Sequence, residues 1–452
     1  MTAAVLHAPA EAGSIVSHIQ NYALPFAYGA AIFALTGLFV IYLILIERKI
    51  TPAADGENEP LRDDAGRSRE LGLEVWKLAI AEAFDPRNES GVSWFAAYLG
   101  VVIAVVACAA LLFGPAIGIA DLNIGLFFIV AVSSLGIFGF LLGSEPRNGK
   151  AAEATLQDGA RWISFQVVAI LGLISIVIFA GSFSLKVIVQ AQSDQGAWFI
   201  FYAPVGFVIY FAASVMSAER RSSETPDHPA RAIGTARIQG RGLRKALSCL
   251  AEYLNVIVVA GIAATVFFGG WLRPFARYHD CFFGTQIELV DAFPALLFLA
   301  FAGWCFWLAY SDRPKLQERS IRIAGGLCAA LAVGMFAALF ASPETMEAVH
   351  GAFWFCAKMA GLLYGFLWLR ATVPSYTFER GVQVAWRVLV PLAAANLILA
   401  ACAISMTQLW DFGPGVSSFV ATLATLGFAI WLWSANGGHR EPVAPATPAD
   451  AR

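Results

Sequence analysis

Long apolar runs separated by short polar segments are the dominant pattern along the chain. A helix needs about 20 consecutive apolar residues to cross the hydrocarbon core of a bilayer, and about eleven runs approach that length. They lie at residues 22–46, 93–113, 124–143, 162–183, 197–216, 250–270, 292–310, 320–341, 351–371, 386–406 and 416–434. The pattern therefore predicts an all-α fold, a polytopic transmembrane helical bundle.

A shorter periodic segment precedes the second run. Within residues 71–84, Leu71, Val75, Leu78 and Ala79 share one face of a helix, and the charged residues lie elsewhere. The segment is too short to span, so we expect an amphipathic helix along the cytoplasmic interface. The alternative is a short helix that packs against the protein part of the same loop and not against the membrane.

Composition supports a membrane protein. The chain is 58% hydrophobic and 14% charged, with a mean hydropathy of +0.67, whereas soluble domains carry about 25% charged residues. We divide it into an outer N-terminal segment at 1–21, a transmembrane domain at 22–436 and a disordered tail at 437–452.

Basic residues alternate between loops. The loops after the first and fifth runs are rich in arginine, whereas Lys186, Arg273 and Arg277 are the basic residues expected on the other side. The positive-inside rule then places the N-terminus outside and the C-terminus in the cytoplasm. Basic residues confined to loops give no reason to expect nucleic acid.

Cysteines and histidines do not indicate a redox centre. The seven cysteines contain no CxxC pair, and none of the six histidines lies in the middle of a run. We therefore expect no metal or flavin bound by this chain.

One stretch carries a more specific pattern. Residues 368–391 read WLRATVPSYTFERGVQVAWRVLVP, which places Arg370 at the end of a run and Pro374 at the turn that follows. With ADLNIGL at 120–126, AEYLN at 251–255 and FFGGW at 267–271, it resembles the H subunit of respiratory complex I, the proton-pumping NADH:quinone oxidoreductase. Similar matches follow in order along nearly the whole chain.

The resemblance implies a membrane-arm subunit that helps form the quinone cavity and links it by protons to antiporter-like subunits. Such a subunit belongs to an enzyme but contains no complete active site alone, because its electrons come from a cluster in a partner. Quinone is then the substrate. The expected partners are cluster-binding peripheral-arm subunits, small and antiporter-like membrane subunits, and lipid of the bacterial inner membrane. The family core has eight spans, so the runs at 292–310 and 320–341 form an inserted pair, and the last run is an addition.

The resemblance and the charge pattern together indicate candidates for the quinone cavity and proton path. They are Glu47, Arg48, Lys49, Glu74, Asp121, Glu219, Glu252, Tyr253, Lys358 and Arg370. An ionisable group inside a membrane should face a partner or a wet cavity. We therefore expect Lys358, Glu252 and Glu219 to lie in one connected polar region.

Each charge also has a structural explanation. Lys358 could pair with a carboxylate. Glu252 could be stabilised at the N-terminus of its helix by the helix dipole. Glu219 could pair with a neighbouring arginine. Asp121 could start a helix, and Glu47 could belong to a cluster at the membrane interface.

Departures from the family pattern lie where function is expected. Gln166 replaces a glutamate, and the loop at 217–248 is basic where the family has acids. Fixed arginines favour an anionic headgroup or partner surface and do not relay protons. Altered coupling is therefore one open alternative. Others are the same scaffold in a hydrogenase or another oxidoreductase complex, and a solitary transporter.

Overall fold

Apolar sequence drives nearly every described segment into a helix. The computed structural model describes residues 91–111, 122–143, 149–218, 243–274, 289–309, 315–340, 343–372, 378–410 and 414–436, and every regular element there is helical. The α-helices are α1 Gly91–Ala109, α2 Gly125–Gly143, α3 Gly149–Ala180, α4 Leu185–Gln195, α5 Phe199–Tyr202, α6 Pro204–Ala218, α7 Leu243–Phe268, α8 Leu289–Ala309, α9 Lys315–Ala338, α10 Pro343–Thr372, α11 Phe378–Val384, α12 Val390–Trp410 and α13 Pro414–Asn436.

Five of these helices contain segments long and apolar enough to cross a membrane, and five more contain shorter apolar segments. The fold class, an all-α polytopic helical bundle, is confirmed. The predicted runs from the second to the eleventh each overlap a described helix.

Some predictions concern residues outside the described ranges and stay predictions. They are the first span at 22–46, the interfacial helix at 71–84, most of the basic loop at 217–248 and the tail at 437–452. The same holds for the site candidates Glu47, Arg48, Lys49, Glu74, Asp121 and Glu219.

The fifth predicted run is divided by a proline. Ala203, with φ −138° and ψ 60°, leaves the helical region between α5 and α6, because the ring of Pro204 disfavours helical backbone in the preceding residue. Pro204 is the first residue of α6, a position where a backbone N–H has no intrahelical acceptor, so the missing N–H of proline costs no hydrogen bond. The helix α4 just before this break was not predicted, because polar side chains interrupt its apolar pattern.

Helix α7 forms the centre of the described bundle. In its apolar stretch Leu250–Phe268, 72% of the residues are buried, against 17% in Gly415–Leu432 of the peripheral helix α13. It packs against α1, α10, α4 and α5, among others. At Gly261 of α7, a Cβ atom would lie 2.5 Å from Leu111 Cδ1, so an alanine there would force the Leu111 side chain to move.

A π-helical turn, Ala385–Leu389, joins α11 to α12. It lies just before Pro391, which has no backbone N–H to donate to the carbonyl of Arg387. The proline ring also disturbs regular α-helical hydrogen bonding there. The turn packs against α3, where Trp386 Nε1 donates to Ser164 Oγ at 3.1 Å.

Helices α8 and α9 lie at the edge of the described bundle. The two helices pack mainly against each other and next against α10. Large side chains such as Trp307 and Val333 are 71% and 69% exposed, as expected for a face that meets lipid. That these two helices are an insertion relative to the family stays a prediction.

Candidate functional site

The C-terminal end of α7 turns sharply at two consecutive glycines. Gly269 has φ +75° and Gly270 has φ +52°, a left-handed backbone that suits glycine. A Cβ on Gly269 would approach Trp198 Cδ1 to 3.0 Å, so the turn also packs too closely for a larger residue. Because a helix leaves its last four carbonyls without intrahelical donors, this buried end needs partners from elsewhere.

Lys358 of α10 supplies some of those partners. Its Nζ donates to the carbonyl oxygens of Phe268 at 2.8 Å and Gly270 at 3.0 Å, and also to that of Leu272. An ammonium group has three N–H donors, and the three carbonyls can accept all of them. We call Lys358 and these carbonyls the lysine cage.

Two further features suit a positive charge in the lysine cage. The Nζ lies 4.7 Å from the centroid of the Trp198 ring, within the range of a cation–π interaction. The C-terminal end of α7 carries the negative end of the helix dipole. The lysine therefore has carbonyl and aromatic partners here, rather than the carboxylate considered from the sequence.

Gln192 of α4 completes this end of α7. The side chain is 1% exposed, and its Nε2 donates to the carbonyls of Thr265 at 3.1 Å and Val266 at 3.3 Å. Its Oε1 accepts the N–H of Phe199 at 3.0 Å. Gln192 thus ties α4 and α5 to the end of α7, as Lys358 ties α10 to it.

A cleft of about 100 Å³ adjoins the lysine cage. Its lining includes Gln192, Trp198 and Leu272, which also contribute to this end of α7, and Arg273 follows on the same turn. The cleft is too small for a drug-sized ligand or a quinone headgroup with its tail, but it can admit a small ion.

The direction of α10 follows from aromatic contacts. Phe207 of α6 contacts Phe268, with ring centroids 5.4 Å apart, and Phe211, one turn further along α6, contacts Phe366 of α10 at 6.0 Å. From the lysine cage, α10 therefore runs back along α7 toward the N-terminal part of α7.

The other end of α7 holds the remaining described candidates. Glu252 is partly exposed and Tyr253 is 2% exposed, and both lie about 24 Å along α7 from Phe268. Arg370, in the last turn of α10, is about 18 Å along that helix from Lys358. We call the end with these three residues the glutamate end. Glu252 and Lys358 thus lie toward opposite ends of α7 and make no direct contact.

A set of neutral side chains links helices near the glutamate end. Ser133 donates to Asn255 Oδ1 at 2.8 Å, and Gln166 Nε2 donates to Ser134 Oγ at 3.2 Å. With the Trp386–Ser164 bond, these pairs form what we call the neutral polar row. Its pairs of neutral side chains link α2 to α7, α2 to α3, and α3 to the π-helical turn.

Sequence reasoning missed the contacts of Gln192 and Trp198 and the burial of Arg161 and His350. Gln192 and Trp198 had no local signal, although the FFGGW motif marked the turn that they contact. Arg161 and His350 are each 4% exposed. In the described residues, no group of three or more histidine, cysteine, aspartate or glutamate side chains could hold a metal ion.

Comparisons with known proteins extend over most of the chain. The family described as NADH dehydrogenase matches residues 28–401. An H subunit of NADH-quinone oxidoreductase from Solibacter usitatus is 29% identical over 384 residues, which cover 84% of this chain and 95% of that protein. An H subunit from Koribacter versatilis is 29% identical over 414 residues, covering 86% and 96%. The H subunit from Geobacillus kaustophilus is 27% identical over 397 residues, covering 87% and 96%.

Proposed function

Because the chain belongs to the family of NADH-quinone oxidoreductase H subunits, we propose that it is a membrane-arm subunit of a proton-translocating NADH:quinone oxidoreductase. The observation that carries this proposal is the match of the family over residues 28–401, together with a helical bundle in which α7 is central. The proposed location is the bacterial inner membrane. The proposed partners are cluster-binding and antiporter-like subunits of the same complex.

We place the quinone-related function at the glutamate end. Glu252, Tyr253 and Arg370 supply a carboxyl, a phenol and a fixed cation at one end of the bundle. The positive-inside rule assigns that end to the cytoplasmic side, where the electron-donating partner would dock. Quinone reduction consumes two electrons and two protons, so proton donors near the headgroup are required.

Lys358 receives a different role in this proposal. Its ammonium lies in the lysine cage, about 24 Å of helix away from Glu252. A lysine whose donors meet three carbonyls is suited to holding α10 on α7, rather than to donating protons to a quinone at the glutamate end.

The neutral polar row supports altered coupling. Amides and hydroxyls do not take up and release protons near neutral pH in the way that carboxylates do. In the proposal, a proton that passes between α2, α3 and α7 is therefore carried by water and not by the side chains of this row.

Purification of the tagged full chain from native membranes tests the function. The expected result is co-purification of NADH-oxidising, cluster-binding and antiporter-like subunits, with NADH:quinone reductase activity in the complex. Replacing Glu252 with glutamine should lower that activity without changing subunit composition. Co-purification with a large hydrogenase component, and no NADH-oxidising subunit, would contradict the proposal in favour of the alternative complex.

A further inference from the structure

The lysine cage has the composition of a binding site for a small cation. Backbone carbonyls of Phe268, Gly270 and Leu272 converge on one point, and the Trp198 ring covers it at 4.7 Å. Convergent carbonyl oxygens replace the hydration shell of monovalent cations in ion-selective proteins, and aromatic rings bind ammonium groups. The cation present here is the side chain of Lys358.

We propose that the turn after α7 is a binding site for a monovalent cation or a primary ammonium ion, and that Lys358 occupies it as a tethered cation. The left-handed backbone at Gly269 and Gly270 turns the chain so that the carbonyls of Phe268, Gly270 and Leu272 face the same point. The turn therefore depends on a bound positive charge. The covalent tether makes that charge independent of the ions in solution.

The neighbouring cleft gives the site a route to solvent. The cleft is lined by Trp198 and Leu272, which also contact Lys358 Nζ, so its inner wall is the edge of the lysine cage. We expect that removing the lysine side chain joins the two spaces.

Chemical rescue of Lys358→Ala tests the proposal in the full chain, purified in its complex. This substitution removes Cγ, Cδ, Cε and Nζ, which are the heavy atoms of n-propylamine. Without added amine, we expect amide hydrogen exchange at residues 269–272 to accelerate about tenfold or more, because charge-assisted hydrogen bonds are lost. Adding n-propylammonium should restore most of the protection, and ammonium or K⁺ should restore part of it.

Three controls isolate the charge and the site. n-Propanol has the same stem without the charge and should not rescue Lys358→Ala. Lys358→Met fills the space with a neutral side chain, so it should lose protection and respond to no cation. Lys186→Ala removes an exposed lysine from α4, and it should match the wild type with and without amine. The wild type itself should be insensitive to exchange of Na⁺, K⁺ or ammonium.

Two outcomes would overturn the proposal. One is a folded Lys358→Ala protein whose lost protection neither n-propylammonium nor any monovalent cation restores. The other is wild-type protection of the turn in Lys358→Met, which would show that no charge is needed. If the Lys358→Ala protein does not accumulate, the hydrogen exchange of Lys358→Met decides the question. Neither depends on quinone reduction, so the result is separate from that of the proposed function.

Discussion

Replacing Gln192 with methionine removes the side chain that joins α4 and α5 to the end of α7. Methionine has a similar length, but it has no donor and only a weak acceptor. The carbonyls of Thr265 and Val266 lose donors at 3.1 and 3.3 Å, and the N–H of Phe199 loses an acceptor at 3.0 Å. Because Gln192 is 1% exposed, bulk water cannot replace these bonds without local opening.

The expected cost follows from the number of lost bonds. Hydrogen bonds between helices in membrane proteins average about 0.6 kcal/mol and reach about 1.7 kcal/mol, so three of them contribute about 2–5 kcal/mol. A buried N–H left without an acceptor costs about 1–3 kcal/mol, which argues against the lowest part of that range. We therefore expect Gln192→Met to lower the free energy of unfolding by about 3–5 kcal/mol.

Reversible unfolding of the full chain in mixed micelles measures this difference. Gln190→Met is the matched control, because Gln190 lies on the same helix and its Nε2 donates to Asp194 within that helix, at the exposed surface. Such a pair contributes about 0.2–0.5 kcal/mol, so the control should remain close to the wild type. A Gln192→Met protein that differs from the control by less than about 0.5 kcal/mol would refute the assigned role of Gln192.

Three further substitutions test other parts of the structure. Gly270→Ala should destabilise the chain by about 1–2 kcal/mol, because the φ of Gly270 is +52°. The control is Gly303→Ala, which lies in a helix with open space around it and should be neutral or stabilising in the same unfolding assay. Gln166→Glu adds a titratable group to the neutral polar row and should raise the number of protons translocated per NADH in proteoliposomes, and an unchanged ratio would count against the role of the row in coupling. Glu252→Gln should reduce quinone reductase turnover at least several-fold. The control Glu347→Gln, on the exposed start of α10, should leave the turnover unchanged. Equal turnover in the two variants would show that Glu252 is not part of the quinone-related site.

Hydrophobic sequence was sufficient to locate the described spans. The cost of exposing backbone polar groups to lipid leaves helices as the solution for such apolar runs, so each predicted run from 93–113 onward overlaps a helix. The short helix α4 was missed because it buries one narrow side, including Ile188 and Gln192, rather than forming an apolar run. The break at Pro204 could have been predicted from the proline alone.

Sequence by itself determined the fold class, the family resemblance and the unusual position of Lys358 inside an apolar run. It could not supply the partners of Lys358, because the carbonyls that it contacts are 86 to 90 residues away along the chain. Local periodicity reports which face of a helix is apolar, but not which distant helix end lies opposite. Only the tertiary structure brought α4, α7 and α10 together at the glycine turn. The structure also places Lys358 and Glu252, which the sequence grouped by charge, near opposite ends of α7. The length of α7 separates them.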